Sequence, residues 1–508
     1  MFGPESKLFP RASKLKGPGN SQYPGQQEGD IPNWKEKYVY ALDREVMDLN
    51  TGLYYRCIQE HTASEIFAND LINGYWILMI SGGSSSVKYS NVCFVDPFSG
   101  VDGTALPGRF DLPFLTPEAA LLAANALAPT LHSRAMVWIR KGVYTSVQAN
   151  AYNNVDVYCE PGVVFNSYFT LTDQVVGATN FNWYGYAKWD LGMSSTAFKW
   201  VNASTILVEG DSFVNSGPIS ICYNVLVGTS NVTYNFNSME SSKTLGTGYA
   251  FSWRNNCNGT VNVKNYIKSN QVSHDIRASH AGNVLINCPK NILTAYNLYG
   301  GGFKCLVYSN AGTVDSNFTI NGDLISETPN LGSSTTLVLQ FLGCSATINI
   351  NGNIYSNDIR GIFQASSSVN AKIIVNGSIF SNYIPVVLSS AGSIYLRNGI
   401  ACLKDVIGAL NVIYITSTGS LWIQNYSLNN QFNSDVISQL SKNSKIYMLN
   451  VQSEGALAAV GLYFINAIDP GTLDQFTNCV SNLKLNPNVA NQLAQGFIYD
   501  ALLKTPKF

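Results

Sequence analysis

The chain has 508 residues, of which 46% are hydrophobic and only 12% charged, with a formal net charge of −1. Charge at about half the ~25% usual for soluble domains, balanced between signs, excludes a protein-wide nucleic-acid footprint. No apolar run reaches the 18 residues needed to cross a bilayer, so no membrane insertion is expected, and the polar surface must come from Asn, Ser, Thr and Gly.

Residues 1–33 are rich in Gly, Pro, Gln and basic residues and carry no hydrophobic period. Lys7, Arg11, Lys14 and Lys16 precede no apolar h-region, so no signal peptide is expected and synthesis in a cytoplasm follows. Sequons such as Asn202-Ala203-Ser204 and Asn231-Val232-Thr233 then carry little weight. The segment reads either as a disordered tail or as an arm that orders against a partner.

Residues 34–80 form an aromatic block: Trp34, Tyr38, Gly52-Leu53-Tyr54-Tyr55-Arg56-Cys57-Ile58, His61-Thr62, Phe67, Asp70 and Gly74-Tyr75-Trp76. Two or three short strands with a small aromatic core are expected. His61 has no second His or Cys at ligand spacing, so it is read as a structural residue. The order of these residues resembles small chitin-binding-like modules of carbohydrases and phage tail proteins. That resemblance implies sugar stacking, with Tyr55 and Trp76 as the candidate rings, although such a module also serves as a spacer or docking unit. Ser81-Gly82-Gly83-Ser84-Ser85-Ser86 marks residues 81–91 as a linker.

From residue 92 the composition changes. Val92–Val95 leads into Asp96-Pro97-Phe98-Ser99-Gly100-Val101-Asp102-Gly103, then Pro113-Phe114-Leu115-Thr116 and a helix from Pro117, with Thr116 as its N-cap. Strands are expected at Val137–Ile139, Gly142–Tyr144 and Val155–Tyr158, followed by Pro161-Gly162-Val163-Val164-Phe165. Residues 92–166 resemble the opening of pectate-lyase-like β-helices, phage tailspikes among them, in which the helix caps the first coil. The resemblance implies a fold, not an activity.

Phe181-Asn182-Trp183-Tyr184-Gly185-Tyr186, Trp189, Phe198 and Trp200 are the densest aromatic patch. Alternation sends about half of these rings inward. Trp183, Trp189 and Trp200 are candidates for a sugar-stacking row, and equally for core or inter-subunit packing. Further on the sequence repeats: Asn-Gly pairs stand at 321, 351, 376 and 398, steps of 30, 25 and 22 residues, each after a β-branched run with alternate residues apolar. A spacing in this range marks a solenoid whose coils share one core. Asn-Gly is expected to supply the positive φ of a sharp corner. Further coils are read at Val261–Asn270, Val284–Asn287, Ser420–Ile423 and Lys445–Leu449.

The fold class is therefore all-β: a right-handed parallel β-helix over residues 92–465, a small aromatic module before it, and a capping or oligomerisation segment at 466–508. That last segment is read as a stretch from Leu473 to Leu483 and a helix from about Val489 to Leu502. The ten cysteines are scattered singly, so buried free thiols are expected rather than metal or redox motifs.

Acids are few in the coils. Asp323 and Asn353 hold equivalent places one coil apart, so the repeat stacks no acid pair there. Glu209-Gly210-Asp211 with Glu240 is the best candidate for paired carboxylates. His274-Asp275-Ile276-Arg277-Ala278-Ser279-His280 reads as a polar loop, or less readily as an acid–base site containing Asp275. No metal site or cofactor is expected.

The resulting expectation is a bacteriophage virion protein (tailspike, tail fibre or head fibre), made without a signal peptide. It would be homotrimeric, attached to other virion proteins through residues 1–33, and would recognise host surface polysaccharide through the β-helix. The alternatives are a depolymerase, glycosidase or lyase, on the same architecture, and a non-viral adhesin.

Overall fold

The computed structural model describes residues 34–42, 44–48, 53–73, 75–79, 90–173, 178–192, 197–201, 205–216, 222–224, 231–241, 249–253, 257–269, 272–276, 282–294, 307–309, 316–327, 339–341, 346–356, 363–365, 371–381, 386–388, 392–403, 412–415, 418–430, 435–440, 444–455, 463–467, 475–485 and 497–500. The proposed arm at 1–33, nearly all of the linker, and His280 lie outside them.

The first compact unit is a small antiparallel module. Glu45–Asp48, Leu53–Cys57 and Trp76–Met79 pair in that order, and Val39–Tyr40 pairs with His61–Thr62. Its core holds Tyr40, Tyr55, Phe67 and Trp76, whose rings meet at 4.7–5.6 Å. His61 is structural: Nδ1 lies 2.9 Å from the Gln59 carbonyl, and Nε2 lies 3.6 Å from a buried Asp70 carboxylate that also accepts the Ser64 amide.

The second unit is a parallel β-helix, as the repeat implies. One column of strands runs in register from Val92–Val95 through Ala135–Ile139, Val155–Cys159 and Phe181–Gly185. The first halves of Thr205–Asn215, Asn231–Ser241, Asn258–Ser269, Asn283–Leu293 and Asn317–Ser326 extend it. It continues through Thr347–Ile350, Lys372–Val375 and the first halves of Ser393–Leu403, Ser420–Asn430 and Lys445–Gly455, to Gln475–Thr477. The second halves of these strands build a second column, which ends on Cys479–Ser481 and Phe497–Tyr499. A third begins at Val147–Asn150 and Phe169–Thr172 and passes through Phe198–Trp200 to Phe363–Ala365. Val386–Leu388, Ile413–Ile415, Ile437–Gln439 and Ile465–Ala467 form a further parallel stack.

Alternation decides the interior. In Val155–Cys159 and in the first half of Asn231–Ser241 every second residue is buried, and all these positions feed one continuous core. The opening phrase is explained residue by residue. Asp102 accepts the amides of Leu115 and Thr116 and the Thr116 hydroxyl. Thr116 caps Pro117–Ala126 through the Ala119 amide, and Pro117, Ala120, Leu121 and Ala124 seal the first coil. Asp96 ties its own turn to Arg140, 2.7 Å away.

The corners are built from amide side chains. Asn235, Asn262, Asn287, Asn321, Asn351 and Asn376 stack, each donating its side-chain N–H to the residue one coil back at 2.7–2.9 Å. The first of them donates to Glu209. A parallel ladder joins the Asn353 amide to Asp323, the Ser378 amide to Asn353 and the Ile400 amide to Ser378. The Asn-Gly glycines are there for a reason the sequence reading only half supplied. Gly322 has φ +139, but Gly352, Gly377 and Gly399 are not in the left-handed region. Their backbones instead stack so closely that a Cβ on each would lie 2.2–2.3 Å from the previous glycine's carbonyl oxygen. In the last coils the positive φ passes to asparagine: Asn398, Asn425, Asn450 and Asn478 have φ 50–55 and form their own side-chain ladder.

Two expectations are corrected. The helix from about Val489 to Leu502 falls mostly outside the described residues, and Phe497–Tyr499 within it is a strand paired with Cys479–Ser481. Val272–Ile276 is a strand rather than a polar loop, with His274 pointing into the core. Six cysteines (57, 93, 159, 257, 288 and 479) are buried thiols outside any disulfide.

Candidate functional site

The sequence-predicted rings do not form a surface. Trp183, Trp189 and Trp200 are at most 1% exposed, because period-two alternation turns each inward. They join Phe165, Phe169, Phe198 and Phe213 in an aromatic core, and the Trp200 indole donates to the Tyr234 hydroxyl at 2.6 Å. Tyr55 and Trp76 are likewise core residues of the small module. None of the five offers a ring face to a sugar.

The predicted acids are dispersed. Glu209 ends the asparagine ladder, accepting from Asn235 at 2.8 Å; burial pushes its carboxyl up, and the amide offsets only part of this. Gly210 follows it because the Trp189 indole fills the corner, where a Cβ would lie 2.2 Å from a ring carbon. Asp211 lies beyond the bend, 3.5 Å from Lys188 and bonded by the Asn237 amide. Glu240 stands on the second column between Val214 and Lys268. Asp275 is on the Val272–Ile276 strand, and its side chain is outside those described. Asp190 shares Glu240's column with Val214 between them, two strand steps or roughly 9–10 Å of backbone apart.

His274 is an internal group. Its ring stacks on Phe251 at 5.3 Å and meets Phe318 at 5.5 Å, and its buried nitrogens form no well-aligned hydrogen bond among the described residues, the Asn291 side chain being their polar neighbour. Burial pushes its pKa down to about 3, Asn291 offsetting only part. An unfolded histidine titrates near 6.5, so the unfolded chain gains a proton that the folded one refuses. This residue's contribution to stability is therefore complete above pH 6.5 and lost as pH falls toward 3, at up to about 1.4 kcal/mol per unit. His274→Leu should leave the denaturation midpoint at pH 7 unchanged or higher and flatten its decline toward pH 4.5. An unchanged acid profile would refute this assignment.

The exposed aromatic row lies elsewhere, at the far end of the first column, on residues whose sequence is that of ordinary coils. Tyr395, Trp422 and Tyr447 occupy one outward register position on three successive strands. Their rings are nearly parallel, at 7° and 10°, with centroids 5.8 and 3.8 Å apart, and Trp422 is 39% exposed. The faces cover one another, so the stack turns its edges outward. Among the described residues neither hydroxyl nor the indole N–H has a hydrogen-bond partner. Ser393, Ser420 and Lys445 flank the row on one side, and Arg397, Gln424 and the exposed Leu449 on the other. The signal was present in the sequence: each ring is the third residue of an alternating strand whose second and fourth side chains are apolar and inward.

Among the described residues no group of acids, histidines and cysteines is placed to hold a metal ion, and no helix is long and apolar enough to span a membrane. No family model, no curated protein and no solved structure matches the chain.

Proposed function

We propose that the chain is an attachment protein of a bacteriophage particle, a tailspike or fibre whose β-helix binds a glycan of the host surface. The observation that carries this reading is the edge-exposed Tyr395–Trp422–Tyr447 stack on a rigid parallel β-helix. Rings held in register along the axis make an amphipathic strip suited to an elongated polar polymer. The β-helix itself fits tailspike-like proteins, and the reading includes a homotrimer anchored to other virion proteins through residues 1–33. A monomer in light scattering would remove the trimer from it.

The test is incubation with surface polysaccharide of candidate hosts, followed by binding and product-size measurements. Retention of the polymer at unchanged length is expected. Trp422→Ala should weaken binding roughly tenfold or more, the effect of losing a central aromatic anchor, while leaving the fold intact. Binding indifferent to that substitution would refute the assignment of the site. The competing depolymerase reading draws on Asp190 and Glu240, whose shared column approaches the wider spacing of inverting glycosidases. Discrete oligosaccharides that vanish in Asp190→Asn or Glu240→Gln would establish it.

A further inference from the structure

Resting on that reading, we propose that the glycan held by the Tyr395–Trp422–Tyr447 face is anionic, carrying carboxylates, and that Lys372, Arg397 and Lys445 bind them. In register on the outward side stand Lys372 and Ile374; Ser393, Tyr395 and Arg397; Ser420, Trp422 and Gln424; Lys445, Tyr447 and Leu449. Three cations stand in this patch with no acid among its described residues, in a chain whose total charge is −1. Among the described residues none of the three is paired with a carboxylate.

Two of them share one ring. Lys372 Nζ lies 4.9 Å and Arg397 Cζ 5.6 Å from the Tyr395 centroid. The ring's π cloud attracts both, and among the described residues no carboxylate pairs with either, so their like charges are not neutralised. An anion at this end of the stack relieves that repulsion and gains charge-assisted hydrogen bonds from both, with the guanidinium able to grip a carboxylate by two N–H groups. Lys445 stands in the same column as Lys372, three strand steps along, roughly 14 Å away. One strand step is close to the rise of a single sugar in an extended chain. A polymer lying along the axis therefore meets Lys372 and Arg397 at one end of the aromatic strip and Lys445 at the other, with acidic groups a few sugars apart. Three cations are too few to hold a nucleic-acid backbone, where affinity comes from many phosphate contacts.

The experiment is affinity electrophoresis of the full-length protein against polygalacturonate, alginate and hyaluronate, against their carboxyl-reduced forms, and against neutral dextran and galactomannan. Retardation by at least one acidic polymer is expected, abolished by carboxyl reduction and weakened by salt. Lys372→Gln and Arg397→Gln should each weaken it about tenfold, the effect of one charge-assisted hydrogen bond, whereas Lys264→Gln, on an exposed corner between the columns, should not. Binding to reduced or neutral polymers that Trp422→Ala removes would overturn the anionic inference and leave the glycan-binding reading standing. Binding to no polymer, neutral or acidic, would overturn both. A change in the number of subunits in the Arg397→Gln assembly, measured by light scattering, would assign the face to contacts between copies of the chain and overturn the inference.

Discussion

Gly352→Ala is expected to destabilise the β-helix by at least about 3 kcal/mol, seen as a large drop in denaturation midpoint, though it adds a single methyl group. The new Cβ would lie 2.2 Å from the Gly322 carbonyl oxygen and 2.4 Å from its carbon, both backbone atoms. The backbone cannot step aside, because Asn351 is bonded to Asn321 before the glycine and the Asn353 amide to Asp323 after it. Movement would also propagate: Gly377 stacks on Gly352, and Gly399 on Gly377, at the same closeness. Gly103→Ala is the control, since nothing lies within 4 Å of its added Cβ; it should shift stability by no more than about 0.5 kcal/mol. Equal midpoints for the two variants would refute the account of the glycine column.

The contrast explains what the sequence made legible. The spacing of 321, 351, 376 and 398 located the corners because in these four coils the backbones stack so closely that any larger residue after the asparagine would collide with the coil beneath. The reason for the glycine was less legible, since turn chemistry predicts φ while stacking demands space, and both write Asn-Gly. Where Tyr426, Val451 and Cys479 follow the corner asparagine, the Asn-Gly signal disappears although the corner persists, its positive φ carried by Asn425, Asn450 and Asn478. The candidate site was less legible still. Aromatic density drew attention to residues 181–200, but density is what a wide core requires, whereas a surface row needs rings on the outward phase of successive coils. That phase can be counted only once the register between Tyr395, Trp422 and Tyr447 is known, and their separations of 27 and 25 residues hide it. Glu209-Gly210-Asp211 looked like a catalytic pair for a related reason: its glycine makes room for a ring, and its two acids fall on either side of a bend.

Trp189→Ala should therefore behave as a core deletion and not as a binding mutation. Its ring meets Phe165, Phe169, Phe198, Phe213 and Phe236 at 5.4–6.2 Å. Truncation removes the transfer free energy of an indole and leaves a cavity among rings that cannot all close in, costing about 3–5 kcal/mol. Glycan binding by the folded variant should be unchanged, the reverse of Trp422→Ala. The glycine beneath makes the assignment sharper. Gly210→Ala in the wild-type chain drives a Cβ to 2.2 Å from one Trp189 ring carbon and 3.1 Å from another, and to 2.8 Å from Phe236. In the Trp189→Ala background the first two collisions vanish, so the same alanine should cost markedly less. The two losses should thus be less than additive, with a coupling of about 1–3 kcal/mol in a double-mutant cycle. Strictly additive losses would mean that Gly210 serves the corner's backbone alone, and that the pairing of indole and glycine does not set the shape of this coil.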